Sequence, residues 1–175
     1  MHFLLYLKHW QLFILLIFVP VILSVALSVA GVPEPIVSGI RPALSVLTFG
    51  IWMMAAGVQL YRRMPQQAQG SLIPFYLSSG LSLIFIVVLT LMASGSFPGL
   101  PTITDPDPVS IFLFLVSYMA AMAGLLYSFA QLAGFLKAAE LQRLVVFRDY
   151  ASEFIMIWFF PFGIWMLQPR INKLA

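Results

Sequence analysis

Apolar residues run along this chain in long stretches, and the charged residues are confined between those stretches. Four stretches, about residues 10–30, 43–61, 72–93 and 109–136, contain no Asp, Glu, Lys or Arg. A helix of about 20 residues at ~1.5 Å rise per residue crosses a ~30 Å hydrocarbon core. The pattern therefore predicts four transmembrane helices, with a kink near Pro20 in the first of them.

Proline and polar residues mark the predicted connections. The segment from Val32 to Pro42 is rich in proline, residues 64–70 form a polar turn, and residues 94–108 hold four prolines. The mixed charge of residues 137–150 indicates a helical, interfacial or cytosolic extension of the fourth span.

A last apolar segment, about residues 152–168, is rich in aromatic residues and is interrupted by Pro161, Phe162 and Gly163. We expect it to enter the membrane from the inner side and return, or to lie at the interface; the alternative is a fifth span. The predicted fold class is an all-α integral membrane protein, with residues 1–175 in a single helical membrane domain.

Lys and Arg in the short loops predict the orientation, since these residues concentrate on the cytoplasmic side. With a cytoplasmic N-terminus the outer side holds only Arg41. The inner side then collects Lys8, Arg62, Arg63, Lys137, Arg143 and Arg148. A re-entrant last segment would add Arg170 and Lys173 to the inner side.

Composition supports the membrane class and excludes several others. The chain is 62% hydrophobic and 9% charged, against about 25% charged in soluble domains. Its net charge of +3 lies at membrane edges, so we expect no nucleic-acid partner. It has no cysteine, which excludes disulfides and thiolate chemistry. The first apolar run is longer than the core of a signal peptide, so we expect an uncleaved span.

Candidate chemical groups are few. Asp105 and Asp107 have no third carboxylate nearby for a metal site, and Asp107 before Pro108 is typical of a helix N-terminus. His2 and His9 lie at the membrane edge. No charged residue lies centrally in a predicted span, which argues against an ion-coupled transporter. We expect no metal site, no cofactor and no catalytic residue.

Small residues recur at four-residue spacing in the fourth span, at Ala120, Gly124 and Ser128. Such a face lets helix backbones approach closely. It predicts either packing within the bundle or a face for self-association or for a partner protein.

The most unusual stretch is residues 137–173. Glu140 and Arg143 are three apart and able to pair on a helix. Glu153 borders a very apolar segment and is costly there unless it is paired, so we expect it to pair with Arg170 and to fix the C-terminal tail to the inner membrane edge. Arg148, Trp158 and Trp165 complete this set. Its role is a lock on the fold or a docking surface for a partner or lipid.

Residues 137–173 also resemble the C-terminal end of small uncharacterised bacterial multi-pass membrane proteins. The likeness lies in ELQR at residues 140–143, the pair Glu153-Phe154, IWFFPFGIW at residues 157–165 and QPRIN at residues 168–172. It covers about a fifth of the chain and implies no activity. It implies a bacterial source, and hence the inner (cytoplasmic) membrane.

These features favour a non-catalytic accessory or assembly subunit, a helical interaction module within a larger bacterial membrane complex. The expected partners are the lipid bilayer and other membrane subunits or a second copy of the chain. One alternative is a homo-oligomeric channel or pore, and another is an enzyme that modifies lipids or isoprenoids.

Overall fold

The described part of the chain is helical apart from short connections. A computed structural model describes residues 8–95 and 108–174. The elements are α1 (His9–Phe13), a π-helical turn (Ile14–Phe18), α2 (Val19–Val29), α3 (Glu34–Arg63), a 3-10 turn (Gln66–Ala68), α4 (Ile73–Ala93), α5 (Pro108–Leu141), α6 (Phe147–Trp158) and α7 (Phe160–Leu174).

Four helical stretches are long and apolar enough to cross a membrane. They are Trp10–Val29, Glu34–Arg63, Ile73–Ala93 and Pro108–Leu141. The protein is thus all-α with four candidate spans, as the sequence predicts.

The first span carries its distortion just before Pro20. Proline has no N–H to donate to the carbonyl four residues earlier, and its ring would clash with that carbonyl. The preceding residues Ile14–Phe18 form a wider π-helical turn, which is a common way to absorb such a mismatch.

The predicted proline-rich connection before the second span is wrong in its bounds, because α3 already begins at Glu34. Pro35 occupies the first turn, where no backbone N–H needs a helical partner. Pro42 lies inside this helix of 30 residues and removes one of its backbone hydrogen bonds. As a result Arg41 belongs to α3 and not to a loop.

Helix α5 ends at Leu141, and the next residues form a tight turn in which Gln142 has a positive φ of 51°. The predicted extension over residues 137–150 is therefore helical only at its two ends. Gln142 donates from Nε2 to the Arg63 carbonyl at 3.0 Å, which ties the ends of α3 and α5 together.

The core surrounds α3, which contacts α2, α4, α5 and α7. Trp52, Met53 and Leu60 on α3 are fully buried. Ring contacts join Phe49 to Phe129 of α5 and to Phe160 of α7, so the C-terminal helix packs on the same core as the four long helices.

Helices α6 and α7 form an antiparallel hairpin. The break falls at Phe159 (φ −88°, ψ 44°), not at the predicted residues 161–163, because proline is tolerated in the first turn of a helix and α7 begins at Phe160. At Gly163 an added Cβ would overlap the backbone carbonyl of Met156. The hairpin can close this tightly only with glycine at that position.

Candidate functional site

Four charged side chains meet where the hairpin joins α5, and we refer to them as the charged cluster. Lys137 and Glu140 come from the last two turns of α5, Glu153 from α6 and Arg170 from α7. Two cations and two carboxylates make the cluster formally neutral.

Arg170 is the centre of the charged cluster. Its Nε donates to Glu140 Oε1 at 2.7 Å and its Nη2 to Glu140 Oε2 at 2.6 Å, a bidentate pair. The same Nη2 donates to Glu153 Oε1 at 2.7 Å. Arginine suits this position because its planar fork matches a carboxylate and still reaches a second acceptor.

Glu153 is the buried member, with 2% of its side chain exposed. Its Oε1 also accepts from Lys137 Nζ at 3.0 Å, and its Oε2 accepts from Ser152 Oγ at 2.8 Å. Burial raises the pKa of Glu153, but the hydrogen bonds from Arg170, Ser152 and Lys137 outweigh it and lower the pKa to about 2. Glu153 is therefore ionised at neutral pH and both of its oxygens are occupied.

The cluster is arranged to hold helices together. A general base needs a free acceptor directed at a substrate, whereas both oxygens of Glu153 and of Glu140 point to partners within the protein. Removing one member would leave an opposite charge without its partner, which is strongly destabilising at a buried site.

A second polar contact secures α7 two residues before Arg170. Trp52 Nε1 on α3 donates to Gln168 Oε1 at 3.0 Å, and Gln168 Nε2 donates to Asn172 Oδ1 at 3.0 Å. Both Trp52 and Gln168 are fully buried. This contact fixes α7 to the centre of the bundle, as the charged cluster fixes it to α5.

The predicted pairing of Glu140 with Arg143 is wrong. Glu140 forms an ion pair with Arg170, and Arg143 forms one with Asp149. Arg143 Nη1 lies 3.2 Å from Asp149 Oδ2, and that oxygen also accepts from the Val146 backbone N–H. The Val146 N–H and Arg143 lower the pKa of Asp149. Together these contacts cap the start of α6.

The structure brings Glu153 and Arg170 together, the pair expected from the sequence, but places the other predicted tail residues elsewhere. Arg148 is exposed and takes part in none of the ion pairs found among residues 8–95 and 108–174. Trp158 and Trp165 are 46% and 47% exposed. Trp165 packs against Phe13 of α1 at 5.9 Å between ring centroids.

The predicted small-residue face of α5 lies against α4. An added Cβ at Gly124 would come within 2.5 Å of Ser82 Oγ, and Ser128 Oγ lies 2.7 Å from Ser78 Oγ. Ala120, one turn before Gly124, is exposed. The part of this face at Gly124 and Ser128 therefore packs within the bundle, and Ala120 lines an open groove.

Several candidate residues cannot be placed. His2, Asp105 and Asp107 lie outside the described residues, and the side chain of His9 is likewise not described. The description resumes at Pro108, which is already helical.

Sequence reasoning missed Lys137 and Glu140 as partners of Glu153 and Arg170, and it missed the pair Trp52–Gln168. The available signal was that Lys137 and Glu140 are three apart at the end of an apolar helix, which puts them on one face. A glutamine inside an aromatic segment is likewise unusual enough to suggest a buried partner.

Comparison with known proteins does not identify a related protein that would help to interpret this site. No protein-family model matches the chain, and neither the curated proteins nor the solved structures include a match.

Proposed function

We propose that the protein is a non-catalytic subunit that binds a transmembrane helix of another membrane protein. The observation that carries this proposal is an open groove between the middle of α4 and the first half of α5, with a volume of about 530 Å³. It is lined by Ser78, Leu81, Ser82, Ile84, Phe85, Val88, Ser117, Ala120, Ala121 and Gly124.

Small residues in this groove suit a helix as the occupant. Ser82, Ser117 and Ala120 leave room for a second backbone to approach, and membrane helices associate through such close packing because lipid gives them no hydrophobic drive. The outer half of α5 has little cover from the rest of the chain: Phe112, for example, is 64% exposed. A partner helix laid in the groove would bury both surfaces.

The charged cluster supports a structural role for the tail. Its members neutralise one another, so they offer an incoming substrate neither a free base nor an unpaired cation. This favours a lock on the fold over the alternative of a lipid-modifying enzyme. Four helices long and apolar enough to cross a membrane support a membrane location, and we propose the bacterial inner membrane.

The position of the hairpin supports a re-entrant segment. Phe160 at its tip contacts Phe49, which lies 14 residues before Arg63 on α3, a rise of about 21 Å. Arg170 at its base lies beside Glu140 at the end of α5. The segment thus enters and leaves at one side, which we propose is the cytoplasmic side, together with the N-terminus.

Site-specific photo-crosslinking in cells tests the helix-binding proposal. A photoreactive residue at Leu81, on the rim of the groove, should give a discrete adduct with a different membrane protein. The same residue at Ile22, exposed on α2, is the control and should give lipid adducts only.

A groove-filling variant completes the test. Ala120→Trp should abolish the Leu81 adduct, whereas Ile22→Trp should not. An adduct with a second copy of the chain would instead favour the homo-oligomeric alternative. Equal adducts at Leu81 and Ile22 would contradict the proposal.

A further inference from the structure

Two open cavities meet at Arg41, at the end of α3 opposite to Arg62 and Arg63. The outer cavity, about 640 Å³, lies between α2 and the start of α3 and is lined partly by Glu34 and by serine hydroxyls. The inner cavity, about 330 Å³, is mostly apolar. Arg41 lines both, and both volumes fall in the range of small-molecule sites.

Arg41 lies at the depth of a lipid phosphate. It is 22 residues from Arg63 along α3, a rise of about 33 Å, close to the ~30 Å thickness of a hydrocarbon core. With Arg63 at one rim, Arg41 is at the other. Among residues 8–95 and 108–174, Arg41 takes part in none of the ion pairs, and its side chain is exposed and lines both cavities.

The outer cavity offers acceptors more than donors. Ser24 donates to the Val21 carbonyl, Ser28 to the Ser24 carbonyl and Ser38 to the Pro35 carbonyl. Because the hydrogen of each hydroxyl is used in these bonds, the three oxygens can act only as acceptors toward a ligand in the cavity. Glu34 adds a carboxylate two turns beyond Arg41. Acceptors around a carboxylate suit an ammonium group, and they would repel a headgroup with a second negative charge.

The inner cavity continues the site into the apolar part of the bundle. Leu16, Val21 and Val46 line it, and Phe49 with Phe160 closes its far end. A slot of this kind suits an acyl chain that enters from beside Arg41.

We propose that the protein binds one phosphatidylethanolamine molecule between α2 and α3. Its phosphate lies on Arg41, its ammonium group is held by Glu34 and the serine hydroxyls, and one acyl chain lies in the slot that ends at Phe160. The site is separate from the groove between α4 and α5 and does not depend on the helix-binding proposal.

Native mass spectrometry of the full chain, released from nanodiscs, tests the site. Wild-type protein in discs of equal phosphatidylethanolamine, phosphatidylcholine and phosphatidylglycerol should retain one phosphatidylethanolamine, enriched roughly tenfold over each competitor. Phosphatidylcholine is the informative competitor because its ammonium group has no N–H to donate. This comparison needs no substitution and so does not depend on a variant that folds.

Variants then assign the two ends of the headgroup. Arg41→Gln should lower the retained lipid roughly tenfold or more, as expected for a lost charge-assisted hydrogen bond. Glu34→Gln should reduce the preference over phosphatidylcholine several-fold. Arg62→Gln, at the opposite rim, should match wild type.

Two results would overturn the inference. Lipid retained in the bulk proportions would mean annular lipid only. An Arg41→Gln variant that keeps phosphatidylethanolamine as well as Arg62→Gln does would remove the assigned phosphate contact.

Discussion

At the scale of single residues, Glu153 is the buried carboxylate through which Arg170 and Lys137 are joined. Because Glu153→Gln removes the charge that Arg170 and Lys137 share, we expect it to lower the free energy of unfolding by about 3 kcal/mol. That is the lower end of the range for breaking a buried pair, since both cations keep partial access to solvent.

Thermal unfolding in detergent, followed by tryptophan fluorescence, measures this effect. Asp149→Asn is the matched control, because it changes a partly exposed helix cap on the same helix, and it should cost about 1 kcal/mol or less. Equal destabilisation by the two variants would show that the charged cluster does not hold the tail.

The lowered pKa of Glu153 makes a separate prediction about pH. Its pKa falls from an ordinary 4.5 to about 2 in the folded protein. A carboxylate with a lowered pKa stabilises the fold fully above its unfolded pKa and loses that effect as pH falls toward its folded pKa. The difference in melting temperature between wild type and Glu153→Gln should therefore be constant from pH 7 to about 5 and shrink between about 4.5 and 2. A difference that stays constant down to pH 3 would contradict this.

At the scale of elements, the hairpin of α6 and α7 depends on Gly163. A Cβ there would overlap the Met156 carbonyl, and backbone cannot move aside as a flexible side chain can. We expect Gly163→Ala to separate the two helices and to lower the melting temperature by several degrees or more. Gly134→Ala is the control, because its Cβ would meet Tyr150 at an ordinary 3.6 Å.

The helices themselves could be predicted from the sequence, but their ends at proline could not. Each apolar run is about as long as a bilayer requires or longer, so its prediction does not depend on any one residue. Proline breaks a helix interior but is accepted in a first turn, and the sequence alone does not say which applies. Pro35 and Pro161 both lie in first turns, and this is why α3 begins earlier and the hairpin break falls at Phe159.

The charged cluster could be predicted only in part, because two of its four residues lie on a different helix from the hairpin. Glu153 and Arg170 flank one apolar segment, so a hairpin brings them together and their pairing follows from local order. Lys137 and Glu140 belong to α5, and their place depends on how the hairpin packs on that helix. That packing rests on contacts such as Trp52–Gln168, which join residues 116 positions apart.

At the scale of the whole molecule, charge separates into two ends. Arg62, Arg63 and the charged cluster lie at one end of the long helices, and Arg41 with Glu34 at the other. Gln142 on the Arg63 carbonyl and Arg170 on Glu140 place the base of the hairpin at the first of these ends. If that end is cytoplasmic, the hairpin both begins and ends on the cytoplasmic side.

Single cysteines test this arrangement directly, because the chain has no native cysteine to interfere. Gln67→Cys marks the turn between α3 and α4, Ala30→Cys marks the opposite end and Lys173→Cys reports on the tail; all three positions are exposed. A membrane-impermeant maleimide should label Ala30→Cys in right-side-out vesicles, and Gln67→Cys and Lys173→Cys in inside-out vesicles only. If Lys173→Cys is labelled with Ala30→Cys, the last segment spans the membrane. In that case the charged cluster would have to separate, because Arg170 could not remain beside Glu140 at the opposite rim.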